Sequence, residues 1–144
     1  MSEKKVVPEN KVNKEMAESD FDRFTECMDL DLDVTEMDAE DLTAFNKQKS
    51  KIVKAIMIGS LIVNDNGEAV YTPRNARSKY KEALTFHERT GASLMAMDGT
   101  KKNHDVTKTY KVLGDMCKVH PSTFAGLVGI DVKICEALFA LLMD

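Results

Sequence analysis

Asp29-x-Asp31-x-Asp33-x6-Glu40 is the sharpest chemical pattern in the chain. It reproduces positions 1, 3, 5 and 12 of a calcium-binding EF-hand loop and lies between two stretches of helical periodicity. Hard carboxylate oxygens at that spacing can wrap a Ca²⁺ ion. Two positions argue against it: Val34 stands where the sharp turn needs glycine, and Glu36 stands where an apolar residue would pair with a second loop. Acids are also common just before a helix N-terminus, whose dipole favours negative charge. The segment therefore reads as a solvated acidic connector, with Asp29, Asp31, Asp33 and Glu40 as weak candidate metal ligands.

A second group has zinc-ligand types: His104, Cys117, His120 and Cys135. Cys117 and His120 are three apart, a spacing that would place both on one helical face, but structural zinc sites bring their ligands in two tight pairs. His104 and Cys135 are each isolated, and Cys117 belongs to the apolar row of its helix, where a free cysteine packs as a small hydrophobe. Nucleophilic and phosphate chemistry find no signature, since GxSxG, GxGxxG and GxxxxGK[ST] are all missing from the sequence. Arg74, Arg77, Lys79 and Lys81 near Tyr71 and Tyr80 offer charge and rings for RNA, yet bases on a loop between strands are ordinarily a solvated surface. The expectation is a protein without cofactor or metal that is not an enzyme and binds no nucleic acid.

The elements that would position these residues follow from periodicity and caps. Residues 1 to 11 lack periodicity and read as a flexible tail. Val12, Met16, Phe21, Phe24 and Met28 predict an amphipathic helix, with Ser19 or Asp20 as a second start. Asp38 has the form of an N-cap for a helix carrying Leu42, Phe45, Ile52, Val53, Ile56 and Met57, stopped by Gly59. Residues 61 to 73 flank Asn64-Asp65-Asn66-Gly67 with β-branched and aromatic residues, which predicts a hairpin, and residues 84 to 88 predict a third strand. Further helices are expected after Thr90, after Asp105, from Pro121 to Val128, and after Asp131 as the cap of the last. The chain thus reads as α+β and predominantly helical: a small antiparallel hairpin or three-stranded sheet plus a C-terminal helical subdomain.

The chain has 144 residues, enough for one core, and a net charge of −4 that conceals an asymmetry. Residues 1 to 41 hold 14 acids and 5 bases, whereas residues 42 to 144 hold 10 acids and 15 bases. This divides the chain into the tail 1–11, an acidic helical head 12–41 and a body 42–144, and suggests that the head contacts the body or a basic partner. A net acidic chain without a basic stripe is a poor nucleic-acid binder. No apolar run is long enough for a bilayer, and the N-terminal residues lack the pattern of a signal or transit peptide, so a cytoplasmic protein is expected. Three scattered cysteines fit reduced thiols in that compartment.

What is left is surface for protein partners. Nine methionines are many, and Met57, Met95, Met97, Met116 and Met143 fall in or beside apolar faces, where flexible thioethers can fill a core or adapt to a partner.

The second half resembles the tail assembly chaperones of long-tailed bacteriophages. The resemblance is carried by LTFHERTGASLMAMD, residues 84 to 98, and by KVLGDMCKVHPSTFAGLVGIDVKICEALFALLMD at the end of the chain. Glu88, Asp98, Asp131 and Phe139 match the family pattern, while Arg89 stands where family members often have proline. The first 40 residues carry no part of it. The resemblance implies a small cytoplasmic protein that binds the long helical tape measure protein and keeps it soluble until tail tube subunits polymerise around it. It also implies absence from the finished virion and a longer form made by ribosomal frameshifting. Met116, Phe124, Leu127, Phe139 and Leu142 are the candidate partner-binding residues, and they are equally candidates for the core. Self-association stays open, as do two other functional classes: a structural tail or connector subunit, and a calcium-responsive regulatory protein built on the acidic loop.

Overall fold

The computed structural model describes residues 11–30, 35–88, 90–91, 95 and 105–142. The fold is α+β, with most of its described elements helical. Helix α1 spans Lys14–Cys27 and starts where the Asn13 side chain accepts a hydrogen bond from the Met16 amide at 2.8 Å. Ser19 and Asp20 begin no second helix; they lie inside α1 because the Asn13 cap already starts it. Ala17, Phe21, Phe24 and Met28 recur at helical spacing and form its buried face. Each fully buried phenylalanine contributes about 2–3 kcal/mol of apolar transfer. The helix ends in a left-handed Asp29, φ 54°, with the Asp29 amide donating to Glu26 O and the Leu30 amide to Thr25 O. That is a Schellman closure with aspartate in the position glycine usually takes.

Helix α2, Ala39–Ile58, is the central element and packs against α1, β1 and the last helix. Asp38 caps it as expected, its Oδ1 accepting from the Asp41 amide at 2.7 Å, and Gly59 closes it with φ 91°. The amides of Lys11 and Val12 both donate to Met57 O, so the approach to α1 is tied to the end of α2. The buried faces of α1 and α2 belong to one apolar core with the sheet and the C-terminal helices.

Strands β1 (Leu61–Val63), β2 (Ala69–Tyr71) and β3 (Leu84–Phe86) form an antiparallel sheet in sequence order, with Val63 opposite Ala69 and Tyr71 opposite Leu84. Leu61, Val63, Ala69, Tyr71, Leu84 and Phe86 face the core, while Ile62, Val70 and Thr85 form the outer row. The hairpin is wider than a two-residue Asn-Gly turn. Its loop runs over residues 64–68, because Asn64 Oδ1 accepts from the amides of Asn66 and Glu68 and Gly67 takes φ 77°.

After the sheet come α3 (Asp105–Cys117), the single turn α4 (Ser122–Ala125) and α5 (Ile130–Leu142). Val112, Leu113 and Met116 bury one face of α3, which packs against β3 and α4. Lys118, φ 56°, ends α3, and the Val119 amide returns to Gly114 O at 2.9 Å. A Cβ at Gly114 would lie 2.8 Å from Val119 O, so this close turn requires glycine. α5 buries Ile134, Cys135, Ala137, Leu138, Leu141 and Leu142 and lies across α2. Among the described residues no helix is long and apolar enough to cross a membrane.

Candidate functional site

The strongest polar constellation surrounds Asp131, in the first turn of α5 and fully buried. Its Oδ1 accepts from the Tyr71 hydroxyl at 2.6 Å and the Arg74 amide at 2.9 Å. Its Oδ2 accepts from the Ser78 hydroxyl at 2.6 Å and the Asn75 amide at 3.1 Å. Ser78 Oγ in turn accepts from the Val128 amide, which ties the loop after β2 to the approach to α5. Burial opposes the charge, but the bonds from Ser78, Tyr71 and the two amides outweigh it and hold the carboxyl below the usual carboxylate range. Burial and the Asp131 partner push the Tyr71 hydroxyl up. A closed carboxylate with four donors and no route to solvent stabilises structure and offers nothing to a substrate. Asp131 is not the cap of α5 that its residue type predicts: it lies inside the first turn, and its side chain accepts from residues 71–78 instead.

Of the calcium candidates, Asp29 is exposed at the end of α1 and Glu40 is exposed in the first turn of α2, while Asp31 and Asp33 lie outside the described residues. Among the described residues no three His, Cys, Asp or Glu side chains converge on a point that could hold an ion. The zinc candidates separate. Cys117 and Cys135 point into the core, where burial pushes the Cys117 thiol up to about 12 and raises Cys135 further. His120 is not on the same helix, since α3 stops at Cys117; its Nδ1 instead accepts from the Ser122 amide at the start of α4. His104 lies outside the described residues, as does Asp98 of the family pattern.

In the basic loop the two rings differ in burial, Tyr80 being half-exposed. Tyr71 is buried, and Lys81 Nζ is turned back to the carbonyls of Asn75 and Ala76. A second polar pair, His87 Nδ1 with a Glu68 carboxylate oxygen, braces the hairpin, and Asn64 Nδ2 shares that carboxylate. Burial raises the Glu68 pKa, but the His87 and Asn64 bonds bring it below the ordinary value.

The expected partner-binding residues divide unevenly. Met116, Phe124, Leu127 and Leu142 are buried in the shared core, whereas Phe139 is half-buried at its edge. Among the described residues the exposed large apolar side chains are Met16, Ile62, Met95 and Val106. The acidic head meets the body through the apolar contact of α1 with α2 and through Arg23, which donates to the carbonyls of Val63 and Asn64, and its Asp20 pairs within the head, with Arg23 at 3.4 Å.

What remains open at the surface is a cleft of about 250 Å³ between α2 and α5. Ala55, Ile58, Ile130 and Ile134 make an aliphatic floor, and Lys51, Lys54, Arg74 and Lys133 make the rim. Among the described residues no carboxylate lies within ion-pair distance of these four bases. Two other hollows are larger, about 390 and 470 Å³, but one carries a single charge, Asp41, and the other mixes signs, with Glu18 among lysines. Uniform charge around an apolar floor, rather than volume, singles out the α2–α5 cleft. Sequence reasoning missed it. Lys47, Lys51 and Lys54 at helical spacing were the available signal, but nothing local places Arg74 and Lys133 beside them.

The chain matches no protein-family model, no curated protein and no solved structure.

Proposed function

We propose that the protein is a tail assembly chaperone of the long-tailed phage type, which binds the tape measure protein in the host cytoplasm and keeps it soluble during tail tube polymerisation. The observation that carries this reading is the open cleft between α2 and α5, aliphatic in its floor and basic at its rim. A long helical client presents rows of aliphatic side chains that need temporary cover, and a groove between two packed helices accepts such a row. The polar constellations around Asp131 and Glu68 are occupied in holding the fold, which favours a binder over a catalyst. The resemblance in residues 84 to 98 and in the C-terminal helices supplies the identity of the client.

Co-expression with the tape measure protein of the same genome, followed by affinity purification and size-exclusion chromatography, tests the reading. Soluble tape protein that coelutes supports it. Insoluble tape protein with this chain eluting alone contradicts it, and mass-spectrometric detection in purified particles would move the assignment to a structural tail or connector subunit.

A further inference from the structure

Lys51, Lys54, Arg74 and Lys133 converge from three separate parts of the chain on one aliphatic floor, and among the described residues no acid lines the cleft with them. Like charges gathered around an apolar surface repel one another and favour an occupant that brings the opposite sign. We propose that the α2–α5 cleft docks an acidic amphipathic helix of a partner protein, with its aliphatic side chains between Ile58, Ile130 and Ile134 and its flanking carboxylates on the four bases. The inference rests on reading the protein as a binder of helical segments and adds the charge pattern that the bound segment must carry.

Three features argue for that occupant. Ile58, Ile130 and Lys51 are half-exposed, and Lys54, Arg74 and Lys133 are exposed, so both floor and rim can be reached. Lys47, Lys51 and Lys54 stand at i, i+4 and i+7 on α2, extending the basic edge over about 10 Å of helix rise. A partner helix laid along α2 meets that edge with carboxylates three or four residues apart, the spacing of one helical face. Asp131 lies beneath the Arg74 amide, but all its acceptor positions toward the loop are occupied and it is closed to solvent. Nucleic acid fits less well, because the floor holds no ring on which a base could stack.

The test uses the full chain and three fluorescent helical peptides that share one leucine face and carry Glu, Gln or Lys beside it. Anisotropy titrations should show the Glu peptide binding at least about tenfold more tightly than the Gln peptide, with the preference shrinking as salt rises. Lys54→Glu with Lys133→Glu leaves two bases against two acids and should abolish the preference for Glu, while the melting temperature stays within about 3 °C because both side chains are exposed. Lys54→Gln with Lys133→Gln leaves Lys51 and Arg74 in place and should weaken the preference without abolishing it. Affinities for the three peptides within about threefold of one another, no binding up to about 1 mM, or tighter binding of single-stranded RNA than of the Glu peptide would each overturn the proposal. Coelution of the tape protein with the doubly reversed variant as fully as with the natural chain overturns the cleft and leaves the chaperone reading standing. Peptide selectivity without coelution supports the cleft and removes the chaperone.

Discussion

Replacing Asp131 should cost more stability than any other single polar substitution in the described fold. Each carboxylate oxygen takes one hydroxyl and one backbone amide: Tyr71 and Arg74 on one side, Ser78 and Asn75 on the other. Asp131→Asn keeps the shape but turns one oxygen into an NH2 group. A hydroxyl can rotate to accept from that group, whereas an amide N–H cannot, so either orientation of the asparagine sets one backbone donor against another. The cost is about 2–3 kcal/mol, the desolvation penalty of a buried donor left without an acceptor. Asp131→Ala strands both hydroxyls as well as the amides, and about 3–5 kcal/mol is expected, a large part of the ~5–15 kcal/mol that holds a typical domain. Tyr71→Phe removes a single bond to the charge and should cost about 1.5–3 kcal/mol. Urea unfolding followed by circular dichroism at 222 nm suits the chain, which has no tryptophan. The Asp131 carboxyl has a lower pKa folded than its ordinary 3.8, so on acidification the unfolded chain takes the proton first. Its contribution is therefore complete well above pH 3.8 and falls away as pH drops through the lower folded value. Asp131→Asn should lose that acid-dependent part of the stability curve. An Asp131→Ala midpoint shift worth less than about 1 kcal/mol, with an unaltered acid limb, would refute the assignment of Asp131 as the polar tie of the fold.

Other substitutions test separate parts of the structure. Leu142→Asp puts an unpaired charge into a position only 3% exposed and should cost about 4 kcal/mol or more, seen as global loss of the thermal transition; retained folding with lost partner binding would return Leu142 to the surface. Gly67→Ala should destabilise by about 2 kcal/mol in chemical denaturation, because φ 77° disfavours a side chain and the new Cβ overlaps the Cys27 side chain. Arg23→Gln removes two 2.7 Å bonds to the carbonyls of Val63 and Asn64, and about 1–2 kcal/mol should be lost, with faster amide exchange in the 61–71 hairpin as its signature.

Local signals carried much of the fold. Asp38 and Gly59 bracket α2 as their residue types demand, the hairpin lies where the β-branched runs flank Asn64 to Gly67, and β3 falls within residues 84 to 88. The departures arise where distant residues decide. Asp131 has the composition of a helix cap, but donors more than fifty residues away in sequence claim its carboxylate. Met116, Phe124, Leu127 and Leu142 have apolar periodicity, which is the same for a core face and a binding face until the facing elements are known. The cleft was illegible for the same reason: Lys51 and Lys54 belong to one helix, while Arg74 and Lys133 reach it only through the packing of α2 against α5. The resemblance to tail assembly chaperones supplied a client where chemistry supplied none; of the described residues that carry it, Asp131 ties the fold together, Phe139 packs at the edge of the core and Glu88 is exposed.

The most direct measurement is the amount of soluble tape measure protein that coelutes on size exclusion when it is co-expressed with the natural chain and with Lys54→Glu/Lys133→Glu. The account predicts a stoichiometric complex with the natural chain and at least about a tenfold loss with the variant at unchanged melting temperature. Tape protein that stays insoluble with the natural chain would contradict the proposed function.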